Sequence, residues 1–232
     1  MENMDQTIEV RKGEAIDTAK VESFLHDAIP GLEGPLTVRQ FPSGASNLTY
    51  LVGVGDREMV LRRPPFGTKP KSGHDMQREY KVLKALGPAY PYCPWPLAYT
   101  DDPEVMGCPF YVMERIPGIV LRRDIPASMG MSPRDITLLG KNFVKALYEL
   151  HSVNYEGIGL GDFGKPEGYV ERQVTGWSRR YRAAHTPDVP DAEGVMAWLK
   201  DKMPPDTDLP CIIHNDYKFD NVVLDPNNPL NI

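Results

Sequence analysis

The stretch Cys211–Asp225, CIIHNDYKFDNVVLD, decides how the rest of the chain is read. Apolar Cys211-Ile212-Ile213 leads into an eight-residue segment, His214 to Asn221, and apolar Val222-Val223-Leu224 leads out of it. That pattern predicts a strand, a polar loop and a second strand, with the loop reading H-x-D-x-K-x-x-N. Transfer of a phosphoryl group needs such side chains at such a spacing. Asp216 can accept a hydroxyl proton, and Asn221, five residues on, can turn an amide oxygen toward a magnesium ion. Lys218 stands between them as a cation able to neutralise a phosphate in flight. The plain alternative is a polar turn with a chance pattern. Four specified residues bracketed by two apolar runs argue against it.

Composition narrows the class. The chain has 232 residues, enough for one large domain or two lobes with a real core. It is 41% apolar and 25% charged, as globular proteins are. A net charge of −6 and a pI of about 5.4 favour neither nucleic acid nor an anionic membrane as partner. No apolar run approaches a membrane span, and the acidic start MENMDQ does not read as a signal peptide. Cys93, Cys108 and Cys211 are scattered without metal-type pairing, as expected of buried thiols in a reducing, cytoplasmic compartment.

Along the chain, a helix is expected at about Thr18–Ile29. Three strands follow between Leu36 and Arg63 (TVRQF, LTYLVGVG, EMVLRR), with the small-residue turn Pro42–Asn47 between the first two. A proline-rich linker leads to a helix at about Asp75–Leu86, whose Met76, Tyr80, Leu83 and Leu86 keep helical spacing. PYCPWPLAYTDDP reads as a proline-broken loop, and PFYVMERI as a buried strand closed by Pro117-Gly118. Ser132 and Pro133 open a long helix as N-cap and first turn. Further helices are expected at about Tyr169–Ala184 and Ala192–Lys202. The layout is α+β, with a strand-rich lobe over residues 1–116, a hinge, and a helical lobe over residues 117–232.

With these residues in hand, the chain resembles the aminoglycoside phosphotransferase and choline kinase family, which has the two-lobed protein-kinase-like fold. Within that group it is most similar to the kinase-like domain associated with acyl-CoA dehydrogenases. The resemblance is carried by FPSGASNLTYLV, VLRRPP, YVMERIPG, LHSVNYEGIGLGDFGKPEGYVERQV and HNDYKFDN, from about residue 40 onward. HNDYKFDN is specific for the superfamily, DFGKPEGY points to the subgroup, and SGASN alone is weak.

The resemblance implies ATP and Mg2+ as cofactors and a small-molecule hydroxyl as acceptor, and the subgroup likeness points to a hydroxyacyl or hydroxyacyl-CoA rather than an aminoglycoside. It gives Asp216 the catalytic proton transfer, Lys218 the γ-phosphate and Asn221 the metal. It places Ser43, Gly44, Ala45, Ser46 and Asn47 in the loop over the ATP phosphates, where small residues let backbone N–H groups approach closely. An ordinary hairpin turn is the other reading of that stretch. Arg62 occupies the strand position where related kinases carry a lysine; a guanidinium still binds phosphate, but as a fork. Arg63 beside it should face the other way, and a solvated arginine pair is the alternative. Glu79 is the acid implied to pair with Arg62, although it could equally face solvent or be satisfied by Arg78. Met113, Glu114 and Arg115 are implied as the hinge whose main chain holds the adenine edge.

Two tempting motifs are set aside. Asp162-Phe163-Gly164 spells a magnesium-binding triplet but precedes Asp216 by more than fifty residues, the wrong order, and reads as a turn. His151 reads as a histidine at a helix end. His214 reads as an orienting group in its loop rather than a base. Only eleven residues follow Asn221, short of the second metal-binding aspartate that the resemblance implies, so a shortened chain is expected. A non-catalytic nucleotide-binding module, a pseudokinase, is accordingly the second hypothesis, and nothing in the sequence separates ATP from GTP.

Overall fold

The computed structural model describes residues 6–42, 47–66 and 74–232. One compact unit holds the residues up to Val153 together with Ile213–Ile232; the other is Asn154–Ile212.

In the first unit a five-stranded antiparallel sheet runs in the order β1-β2-β3-β5-β4. Its strands are β1 (Leu36–Gln40), β2 (Leu48–Val54), β3 (Arg57–Arg63), β4 (Pro96–Thr100) and β5 (Phe110–Glu114). Gly55, at φ +57°, supplies the backbone that the tight β2–β3 turn requires. One face of the sheet carries Tyr50, Val52, Met59, Leu61, Phe110 and Val112, all buried. Helix α1 (Thr18–Ala28) covers that face with Val21 and Leu25, both fully buried. Each such side chain contributes roughly 1.5–3 kcal/mol on leaving water. Asp17 caps α1 by accepting from the Lys20 N–H at 3.2 Å.

Helix α2 (Met76–Leu86) starts at Asp75, whose carboxylate accepts from the Arg78 N–H at 2.9 Å. A short helix α3 (Pro103–Met106) follows β4. Helix α4 (Pro133–His151) opens on a reciprocal capping box between Ser132 and Asp135, with Pro133 in its first turn. Its Leu139 packs with Leu121, Val222 and Leu224, and the C-terminal residues Leu230 and Ile232 join that cluster. In the second unit, α5 (Tyr169–Ala184) and α6 (Glu193–Asp201) are joined by two 2.6 Å hydrogen bonds from Arg182 to Glu193. Asp162 and Phe163 lie in a turn, as their sequence position suggested.

Two expectations need correction. PYCPWPLAYTDDP is not a loop throughout, because Pro96–Thr100 forms β4. Pro96 is the first residue of an edge strand, where a missing N–H sacrifices no ladder bond. Conversely, the strands expected at Cys211–Ile213 and Val222–Leu224 do not form. The second run makes one bridge, in which Ile119 and Leu224 exchange hydrogen bonds of 2.9 and 2.8 Å. A strand needs a neighbour of matching length; Val222 and Leu224 are instead buried in the cluster with Leu139 of α4, while Ile213 is 40% exposed. The bridge is close: a Cβ on Gly118 would lie 2.4 Å from the Leu224 carbonyl oxygen.

Candidate active site

Residues paired across antiparallel strands share a face of the sheet. The face turned away from α1 therefore carries Thr49, Arg62 and Tyr111 in one row and Leu51, Val60 and Met113 in the next. Leu51, Val60 and Met113 pack with Phe41 into a small apolar cluster. Arg62 thus stands one row from an apolar platform.

Glu79 comes to Arg62 from the first turn of α2. Its Oε2 lies 3.4 Å from Arg62 Nη1, and both side chains are about one-third exposed, at 29% and 32%. The same Oε2 accepts from the Tyr111 hydroxyl at 2.9 Å, and Oε1 accepts from Asn47 Nδ2 at 3.0 Å. Asn47 is buried, and its Oδ1 faces His74 Nδ1 at 2.7 Å. Burial drives the Tyr111 pKa far up, so the phenol remains a donor. Arg62 Nε is buried and has no hydrogen-bond partner among the described residues. Arg63 lies on the opposite face, buried rather than solvated, with Nε on the Pro64 carbonyl at 3.1 Å and its guanidinium 3.9 Å above Phe66.

Ser43, Gly44, Ala45 and Ser46 lie outside the described residues. At the expected hinge, Met113 belongs to the apolar platform. The Glu114 N–H donates to the Trp95 carbonyl at 2.9 Å, and Glu114 Oε1 accepts from the Trp95 N–H at 2.9 Å. Arg115 pairs with Glu58.

The loop from His214 to Asn221 mixes packed aromatic anchors with exposed polar side chains. Tyr217 donates its hydroxyl to the Phe143 carbonyl at 2.7 Å, and the Phe143 ring stacks on Tyr217 and Phe219 at 4.1 and 4.2 Å. Asp216, just before these anchors, and Lys218, between them, face solvent, with Lys218 Nζ 3.3 Å from Asp216 Oδ1. Asn221 Nδ2 donates to both the carbonyl oxygen and Oδ2 of Asp216, each at 2.8 Å. These donations, Asn221 first and Lys218 second, hold the Asp216 carboxyl below the usual carboxylate range. With both amide hydrogens of Asn221 engaged, its Oδ1 is left as an outward acceptor. Asn215 adopts φ +63°, alone among the described non-glycine residues, and reverses the chain before Asp216. The Asp216 N–H donates to His214 Nδ1 at 3.3 Å, which requires that nitrogen unprotonated. Desolvation pulls the His214 pKa down against the opposing pull of Asp216. His214 therefore orients the loop as a neutral acceptor.

The structure brings Asn47, Arg62 and Glu79 together, and separately Asp216, Lys218 and Asn221. Sequence reasoning missed Tyr111, His74 and Phe143. The alternation in FYVMER puts Tyr111 and Met113 on one face, but only strand register sets Tyr111 opposite Arg62.

A model of the phosphotransferase enzyme family matches residues 37–231. The chain belongs to this family. Among curated proteins it is 36% identical over 224 residues to acyl-CoA dehydrogenase family member 11 of Gallus gallus, covering 95% of this chain and 28% of that protein. It is 34% identical over 218 residues to acyl-CoA dehydrogenase family member 10 of Mus musculus, covering 94% of this chain and 20% of that protein. The chain thus spans less than a third of these relatives. Among solved structures, a candidate aminoglycoside phosphotransferase from Ralstonia eutropha superposes with a TM-score of 0.79 at 34% identity, covering 93% of this chain and 62% of that one. A streptomycin–ATP ternary complex of an aminoglycoside phosphotransferase shares the fold, at a TM-score of 0.58 and 17% identity. The α+β, kinase-like fold expected from the sequence is the fold of these neighbours. Among the described residues no helix is long and apolar enough to cross a membrane.

Proposed function

We propose that this phosphotransferase-family site transfers the γ-phosphoryl group of ATP to the hydroxyl of a small molecule, with magnesium as the metal. The observation that carries the reading is the double donation from Asn221 Nδ2 to Asp216, which aims an amide oxygen outward beside an ionised carboxylate. These are hard oxygen donors of the kind magnesium takes. The unpartnered Nε of Arg62 supports a phosphate ligand at the other end of the site. When bound, magnesium supplies charge neutralisation at the phosphate oxygens.

The remaining roles belong to the chain. Asp216 orients the acceptor hydroxyl and takes its proton as the oxygen attacks the γ-phosphorus, with the ADP β-phosphate oxygen as leaving group. Lys218 stands against the γ-phosphate. Arg62 holds the inner phosphates, Leu51, Val60 and Met113 offer an apolar seat for a base, and the main chain of Met113–Arg115 lies along its edge. Residues 1–116 act as the nucleotide lobe and residues 117–232 as the lobe of the reacting loop. The curated relatives are named as acyl-CoA dehydrogenase family members, which supports a hydroxyacyl or hydroxyacyl-CoA acceptor over an aminoglycoside. Neither nucleic acid nor a membrane enters this cytoplasmic chemistry.

Thermal unfolding with and without Mg-ATP tests the reading, for the native chain and for Asp216→Ala and Asn221→Ala. A ligand that binds only the folded state raises the midpoint. The native chain should be stabilised, and Asn221→Ala should lose the magnesium-dependent part. No stabilisation at millimolar Mg-ATP overturns the nucleotide assignment. Stabilisation without transfer to any hydroxyacyl-CoA leaves a nucleotide-binding protein that lacks the proposed transfer.

A further inference from the structure

Arg62 is the feature that the proposed site must accommodate, because an arginine beside a glutamate ordinarily closes into a two-pronged pair. In that arrangement two parallel N–H···O bonds consume the guanidinium fork. Such a pair would leave few donors for a nucleotide. A lysine at the same position carries a single charged nitrogen and has no such failure mode.

The geometry around Glu79 shows what competes with it here. Each carboxylate oxygen already accepts another donor, Oε1 from Asn47 Nδ2 at 3.0 Å and Oε2 from the Tyr111 hydroxyl at 2.9 Å, and these bonds fix the direction of the carboxylate. The nearest approach of Arg62 to Glu79 is Nη1, at 3.4 Å and on the oxygen that also accepts from Tyr111, whose hydroxyl interacts with Arg62 as well. Its Nε is buried with no partner among the described residues. The donors have a fixed direction. Asn47 Nδ2 gives to Glu79, so Asn47 Oδ1 must accept, and His74 Nδ1, 2.7 Å away, must be the protonated nitrogen. His74 thereby prevents the Asn47 amide from turning over. The chain of bonds runs from His74, just before α2, through Asn47, just before β2, to the ion pair.

We propose that Asn47 and Tyr111 are positioning residues that hold Glu79 by its two oxygens and so keep the Arg62 fork open for nucleotide phosphates, with His74 fixing the orientation of Asn47. This rests on the nucleotide assignment made above. If either donor is lost, Glu79 is freed to take Arg62 bidentately, and the phosphate site loses its cation without any loss at the base-binding platform.

The test is calorimetric binding of Mg-ATP and of adenosine to the native chain, Tyr111→Phe, Asn47→Ala, Arg62→Lys and the double variant Arg62→Lys/Tyr111→Phe. Tyr111→Phe keeps the ring, so it remains informative if the buried Asn47→Ala variant fails to fold. In the native background Tyr111→Phe should weaken Mg-ATP roughly five- to tenfold and leave adenosine unchanged. In the Arg62→Lys background it should change Mg-ATP affinity by less than about twofold, because an ammonium cannot form the two-pronged pair. An equal loss in both backgrounds, or parallel losses for adenosine, identifies Tyr111 as merely structural and overturns the proposal. Unchanged Mg-ATP affinity for Tyr111→Phe, with a native chain that binds, overturns it while the nucleotide assignment stands. A native chain that binds no Mg-ATP removes both.

Discussion

The half of the site carried by the sheet and the half carried by the loop after Ile213 are held in place by different means. Arg62 and Tyr111 sit opposite each other in adjacent strands, and Glu79 projects from a capped helix, so regular secondary structure sets their geometry. Asp216, Lys218 and Asn221 sit on irregular backbone, anchored by the stack of Phe143 on Tyr217 and Phe219 and by one bridge between Ile119 and Leu224. In the sheet half the polar groups are partly or fully buried and form a network around Glu79, with Arg62 Nε left without a partner among the described residues. In the loop half the reacting groups face solvent and the burial is done by their neighbours in sequence. The division teaches where substitutions should be felt. Changes to exposed loop groups should affect chemistry alone, changes to loop anchors should affect stability and chemistry together, and changes in the sheet half should affect nucleotide affinity.

The largest effect is expected at Asp216. Asp216→Asn should lower turnover by about 10²- to 10⁴-fold while leaving the urea-unfolding midpoint essentially unchanged, since the side chain faces solvent. A large stability loss would show that the loop depends on its exposed groups and would break the comparison. Next comes Phe143→Ala, which removes the ring stacked on Tyr217 and Phe219. It should cost about 2–4 kcal/mol in urea unfolding and lower turnover as the loop loses its seat. A variant that unfolds like the native chain would show that the stack does not anchor the loop.

A smaller effect is expected in the sheet half. Arg62→Ala should weaken Mg-ATP roughly tenfold by calorimetry, with adenosine affinity kept, because the proposed phosphate contact goes together with the Glu79 ion pair while the apolar platform stays. Equal losses for both ligands would move Arg62 from the phosphates to the base. The smallest effect concerns pH. The folded pKa of Asp216 lies below its ordinary 3.8, so the carboxylate is ionised at every higher pH. Whatever stability its bonds add is present above 3.8 and lost only as pH falls through the lowered folded value. The kcat/KM profile should therefore show no acid limb from Asp216, and a limb with a midpoint at about pH 6 that Asp216→Asn abolishes would contradict that ionisation state. Asn221→Ala removes the leading cause of the depression and should move the carboxyl back up toward 3.8.

Much of this was legible in the chain itself. Asp17, Asp75 and Ser132 sit before apolar runs of helical period, and α1, α2 and α4 begin at those residues because side-chain oxygens there satisfy free backbone N–H groups. Alternation in LTYLVGV and EMVLRR placed β2 and β3, and it separated Arg62 from Arg63 by face. The motif HNDYKFDN marked the candidate loop because its spacing is local: Asn221 reaches Asp216 across five residues without help from distant chain.

What sequence alone determined was therefore everything that depends on near neighbours, namely helix starts, strand alternation and the polar loop. Tertiary structure decided what depends on pairing between distant segments. Pro96 became the first residue of an edge strand, and Val222–Leu224 formed a single bridge rather than a strand, because each outcome depends on which chain lies alongside. Tyr111, Asn47 and His74 are separated from Glu79 by up to 32 residues, and no periodicity announces that they meet. Register across β2, β3 and β5, together with the docking of α2, brings them to one carboxylate, and the freedom of the Arg62 fork follows from that meeting.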